Sequence, residues 1–198
     1  ASAKYANASR GSYYEANNAF REVYEARKAV ADFFGLKEED RVVFTPNSTE
    51  SLNIAIFGLL NKEDHVVTTS MEHNSVLRPI YLAHETIGCD YTIVHGDKTG
   101  MISYEDLEAA IRPNTKMLAI THSSNVTGNV IDLKKVATIC RKHNIISVVD
   151  ASQTAGVIPI NMEELEIDVL CFTGHKSLYG PQGIGGLCIR LKEPEIRR

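Results

Sequence analysis

The run IISVVDASQTAGVIPINMEELEIDVLCFTGHK, Ile145–Lys176, decides the fold. It holds two short apolar stretches, Ile145–Val149 and Asp168–Phe172. Each ends in a polar cluster: Asp150-Ala151-Ser152-Gln153 after the first, Thr173-Gly174-His175-Lys176 after the second. Short runs of apolar, mostly β-branched residues are of strand length, and their near-continuous hydrophobicity suits strands covered on both faces. A sheet of that kind is parallel and carries its helices on both sides. In such open sheets ligands bind beyond the C-terminal ends of the strands, so the polar clusters are where chemistry is sought.

Working outward, the same alternation runs through the chain. Glu15 to Phe34 has helical periodicity through Phe20, Val23, Tyr24, Val30, Phe33 and Phe34, and stops at Gly35, a residue suited to the position after a helix. Arg41–Thr45 reads as a strand, and a helix follows from about Thr49 to Leu60. His65–Thr69 is the next strand, Ser75 to Thr86 a helix, and Asp90–Val94 a strand. Lys98-Thr99-Gly100 makes a turn. Ser103 and Asp106 have capping-box spacing for a helix to Ile111. Lys116–Thr121 is a strand, Asp132 caps a helix through Lys142, and Gly186–Leu191 is the last strand. The expected fold class is α/β, a mostly parallel sheet with helices on both faces. Residues 1–40 form an N-terminal helical segment and 41–198 the sheet domain.

Composition narrows the function classes. The 198 residues hold 21 Lys+Arg against 25 Asp+Glu, a net charge of −4, so there is no broad basic field for nucleic acid. No apolar run approaches the ~20 residues of a membrane span. The N-terminus has no apolar core of a signal peptide, and without an initiating Met the chain is expected to be cut at that end. Cys89, Cys140, Cys171 and Cys188 are scattered, with no C-x-x-C spacing. They read as buried, inert thiols in a reducing cytoplasm.

Thr45-Pro46-Asn47-Ser48-Thr49-Glu50 leads into a helix, whose free N–H groups suit a phosphate; simple capping by Asn47 or Ser48 is the alternative. His73, in Ser70-Met71-Glu72-His73-Asn74, reads alone as a surface or capping histidine. His122 to Gly128 is a polar loop rich in side-chain donors. Asp150 and Lys176 are the informative pair. A carboxylate directly after a buried strand is costly unless partnered. One outcome is an Asp150–Lys176 ion pair. The other is an amine that condenses with an aldehyde cofactor while the acid holds a ring nitrogen protonated, the mark of a pyridoxal-phosphate site. The stretch Gly180-Pro181-Gln182-Gly183-Ile184-Gly185-Gly186 lacks dinucleotide-binding spacing and precedes a strand, so it reads as a tight turn beside the lysine. A metal held by His122, His175 and Cys171 lacks ligand-like spacing.

Thr173-Gly174-His175-Lys176 with Leu178-Tyr179-Gly180-Pro181 and Gly183 resembles the lysine motif of the class V pyridoxal-phosphate enzymes. Met71-Glu72-His73-Asn74, Ser124-Asn125-Val126-Thr127-Gly128 and Asp150-Ala151-Ser152-Gln153 match that family in the same order. The nearest subgroup is the cysteine desulfurases and selenocysteine lyases. The resemblance implies the large domain of the fold type I transferases and pyridoxal 5'-phosphate as cofactor. Lys176 would carry the cofactor and shuttle the substrate's α-proton. Asp150 would pair with the ring nitrogen, His73 stack on the ring, Gln153 bond the phenolic oxygen, and Asn125 lie near that oxygen and the substrate carboxylate. Thr49, Thr173 and His175 would hold the phosphate, with the Glu50 N–H assisting.

The implied reaction takes sulfur from L-cysteine, giving L-alanine and an enzyme persulfide for a sulfur-acceptor protein, as in iron–sulfur cluster assembly, in a cytoplasmic homodimer. The alternatives are another class V reaction, such as transamination or selenocysteine cleavage, or a non-catalytic cofactor-binding piece. Ser177, between Lys176 and the Leu178-Tyr179-Gly180-Pro181 turn, departs from many desulfurases and points to a side branch. The family chain is about twice this long. Its small domain, nucleophilic cysteine and carboxylate-binding arginine are expected beyond residue 198.

Overall fold

The computed structural model describes residues 7, 8, 11 and 13–191. The chain runs α1 (Tyr14–Phe33), β1 (Val42–Thr45), α2 (Ser48–Leu59), β2 (His65–Thr69), α3 (Asn74–Ile87), β3 (Asp90–Val94), α4 (Tyr104–Ala109), β4 (Thr115–Thr121), α5 (Leu133–His143), β5 (Ile146–Asp150), α6 (Met162–Leu165), β6 (Val169–Thr173) and β7 (Gly185–Ile189). One seven-stranded sheet has the order β1-β7-β6-β5-β4-β2-β3. The pairs β2–β3, β2–β4, β4–β5 and β5–β6 are parallel. β7 is antiparallel to both β6 and β1.

The central strands are buried on both faces, and successive residues serve different cores. Val67, Leu118, Ile120, Val149, Leu170 and Cys188 pack with α1, α4, α5 and α6 through Phe34, Leu107, Val136 and Met162. Their neighbours Val66, Met117, Ala119, Val148, Cys171 and Leu187 pack with α2 and α3 through Leu52, Ile56 and Ile80. This is the two-residue alternation of a pleated strand with a helical layer on each side. It places α2 and α3 on one face and α1, α4, α5 and α6 on the other.

The helix ends are set locally. Asn47 caps α2 through Glu50 N–H, Ser103 caps α4 through Asp106 N–H, and Asp132 caps α5 through the N–H groups of Lys134 and Lys135. Gly88 ends α3 in the left-handed conformation, φ 83°. The helix α1 forms where the periodicity puts it. Its apolar residues Phe20, Val23, Tyr24 and Phe33 stay exposed, and only Ala16 and Ala31 of the helix are buried. Toward its C-terminal end the same periodicity meets the core, through Val30 and through Phe34 just past the helix.

Candidate active site

All parallel strands point their C-terminal ends the same way, and β7 begins at that edge. A cleft of about 580 Å³ opens there. Asp150 closes β5 and forms its floor, 3% exposed. Three donors converge on its Oδ1: the Ser152 N–H at 2.9 Å, the Ser152 hydroxyl at 2.5 Å and the Ser48 hydroxyl at 3.2 Å. A serine two residues after an Asp reaches back in this way readily. Oδ2 receives no donor among the described residues, so the carboxylate is fixed through one oxygen and offers the other.

Ser48 and Thr49 open α2 and line the cleft beside Asp150. At the start of a helix their N–H groups have no carbonyl one turn back and carry the positive end of the helix dipole. Glu50 corrects the sequence expectation. Its N–H is taken by the Asn47 side chain at 2.9 Å, and Glu50 does not line the cleft. Thr173 closes β6, and its hydroxyl meets His175 Nδ1 at 2.9 Å, which fixes both side chains at the same wall.

Lys176 lies on the rim and is exposed. No Asp150–Lys176 ion pair forms, and Lys176 has no ion pair among the described residues. The turn that carries it is pinned by Tyr179 N–H to Lys176 O, Gly180 N–H to Gly174 O and Gly174 N–H to Ile184 O. Gly156 backs this turn so closely that a Cβ there would sit 2.4 Å from Ser177 O.

His73 caps α3. Its Nδ1 accepts from Ser75 N–H at 3.1 Å, which leaves the ring proton on Nε2. Asn125 and Gln153 also border the cleft. The structure therefore brings together Thr49, His73, Asn125, Asp150, Gln153, Thr173, His175 and Lys176, and leaves Glu50 outside. Sequence reasoning passed over Ser152 and Ser48, which hold Asp150. The D-x-S spacing was the available signal for Ser152, whereas Ser48 meets Asp150 only through the fold.

The four cysteines are buried and unpaired. Burial pushes the Cys140 and Cys188 thiols up to about 12 and also raises those of Cys171 and Cys89. No helix among the described residues is long and apolar enough to cross a membrane.

A cysteine desulfurase IscS of Cronobacter sakazakii is 40% identical over 176 residues, covering 87% of this chain and 43% of that protein. An apo cysteine desulfurase structure from Thermococcus onnurineus superposes with a TM-score of 0.86 at 37% identity, over 92% of this chain and 46% of its own. The structure described as SspA in complex with cysteine gives a TM-score of 0.91 at 35% identity, over 99% of this chain and 57% of its own. This chain thus spans less than half the length of the curated relative. The sheet is that of the large domain of the fold type I pyridoxal-phosphate-dependent transferases. The sequence model described as aminotransferase class-V matches residues 2–195, nearly the whole length, and the chain belongs to that family.

Proposed function

We propose that this chain is the cofactor-holding part, about residues 41–198, of a pyridoxal 5'-phosphate-dependent cysteine desulfurase. The observation that carries the reading is Asp150, a buried carboxylate at the cleft that is anchored through Oδ1 and has no donor to Oδ2 among the described residues. That is the acceptor a protonated ring nitrogen needs. The anion-binding start of α2 and the Thr173–His175 pair stand at the same cleft, as a phosphate requires. The residues present fit the cofactor.

Bound there, the cofactor supplies an electron sink for the pair left at the substrate's α-carbon. Asp150 would hold a proton on the ring nitrogen, and Lys176 would provide the amine for the aldehyde and carry the α-proton. His73 would lie against the ring, Gln153 and Asn125 would donate to the phenolic oxygen and the substrate carboxylate, and Ser48, Thr49, Thr173 and His175 would hold the phosphate. The substrate is L-cysteine, and the products are L-alanine and a persulfide passed to an acceptor protein, in iron–sulfur cluster assembly. The thiol that takes the sulfur is not among Cys89, Cys140, Cys171 and Cys188, because a buried thiol is neither ionised nor reachable. Free buried thiols favour a reducing compartment, the cytoplasm. The uncovered apolar face of α1 favours a homodimer.

The test is reductive trapping. Protein mixed with pyridoxal 5'-phosphate and borohydride should carry the reduced adduct on Lys176, mapped by mass spectrometry. An adduct confined to another lysine overturns the assignment.

A further inference from the structure

The loop between β2 and α3 carries a second carboxyl that the reading above does not use. Glu72 is 9% exposed. Its Oε1 accepts from the Thr69 hydroxyl at 2.6 Å, and its Oε2 is buried with no partner. The charged group acting on it is Asp150, at the end of β5. β2 offers only the Thr69 hydroxyl and β4 the backbone of Thr121. Two carboxylates in such a place cannot both ionise cheaply. Three donors converge on one oxygen of Asp150, whereas Glu72 has the Thr69 hydroxyl and the Thr121 backbone, with its Oε2 unpartnered.

We propose that Glu72 is a positioning residue that sits in the folded site as the neutral acid, behind the Asp150 carboxylate. This rests on the cofactor reading above only for its consequence, since the protonation of Glu72 is a property of the protein alone. Burial first, then the Asp150 charge, raises the Glu72 carboxyl to about 8, against the pull of the Thr69 hydroxyl. At pH 7 a ring nitrogen at Asp150 would then have no Glu72 charge behind it. Anchored beneath Thr121, Glu72 also fixes the residue that follows it, His73, at the rim.

The experiment compares wild type with Glu72→Gln in the cofactor-free protein, by urea unfolding across pH 4 to 10. A raised folded pKa means that the native state binds more protons than the unfolded one between about 4.5 and 8, so wild-type stability falls as pH rises through that window. The unfolding constant of wild type relative to Glu72→Gln should rise about tenfold per pH unit from about 4.5 and level off near 8. In an Asp150→Asn background the levelling should come at lower pH, because one of the two causes is gone. Isotope-edited infrared spectra at pH 7 should show a protonated carboxyl band that Glu72→Gln lacks. Parallel pH profiles, or no such band, would overturn the proposal. Because no cofactor is present, these outcomes are separate from trapping at Lys176, whose failure would overturn the cofactor reading instead.

Discussion

Replacing Gly185 by alanine tests how tightly the edge of the cleft beside the α2 cap is built. Gly185 opens β7 between β1 and β6. A Cβ there would lie 2.6 Å from Asn47 C, 2.7 Å from Asn47 Cα and 2.8 Å from Phe172 O. All three are backbone atoms on two different elements, so no side chain can rotate away. Overpacking of this sort costs about 1–3 kcal/mol, and the fixed neighbours place Gly185→Ala at the upper end, about 3 kcal/mol. Relief requires moving Asn47, the cap of α2, and with it Ser48 and Thr49 at the cleft. Gly58, inside α2 with nothing within 4 Å of its would-be Cβ, is the control. Gly58→Ala should stabilise by roughly 0.5–1 kcal/mol from helix propensity alone. Urea midpoints and fluorescence titration with pyridoxal 5'-phosphate measure both effects. Gly185→Ala is expected to lower the midpoint and weaken cofactor binding, and Gly58→Ala to raise the midpoint and leave binding alone. Equal midpoints for Gly185→Ala and wild type would refute the reasoning.

Two further outcomes are expected. Asp150→Asn in the full-length enzyme should keep the phosphate contacts but lose a charge-assisted hydrogen bond of about 1.5–3 kcal/mol, lowering turnover about 10- to 100-fold with a smaller loss of cofactor affinity; unchanged turnover would make the acid merely structural. With Cys140 and Cys188 raised to about 12, thiolate is scarce at pH 8, so iodoacetamide should leave all four cysteines almost unlabelled in native protein and label all four in urea; rapid native labelling of any one of them would contradict its burial.

The central strands were legible because burial on both faces writes itself as apolar runs, and the half-exposed edge strands because β-branched and aromatic residues sit between polar breaks. His65–Thr69 and Asp90–Val94 fall where the sequence puts them, and the others shift by a residue or so at their ends. The shift at β5 makes Asp150 its last residue. The single-turn helix α6 left no readable period, since four residues are barely one turn. The antiparallel setting of β7 was likewise unmarked, because direction depends on a crossover and not on composition. At the cleft, residues adjacent to strand ends could be proposed from position alone. Ser48 could not, since it lies 102 residues from Asp150 and reaches it only through the completed sheet. Glu72 was visible as a letter beside His73, but its isolation is a product of packing.

The placing of β7 between β1 and β6 sets a timetable for biosynthesis. Val42 pairs with Cys188, a separation of 188 − 42 = 146 residues. At roughly 5–20 residues per second on the ribosome, β1 waits about 7 to 30 s for β7, its one sheet neighbour among the described residues. Until β7 emerges, β1 with the α2 cap beyond it has no strand linking it to β6, the strand that leads into Lys176. A nascent chain can therefore complete the β2–β6 core in order of synthesis, while the cleft closes last, and loading of the cofactor belongs after translation of this region.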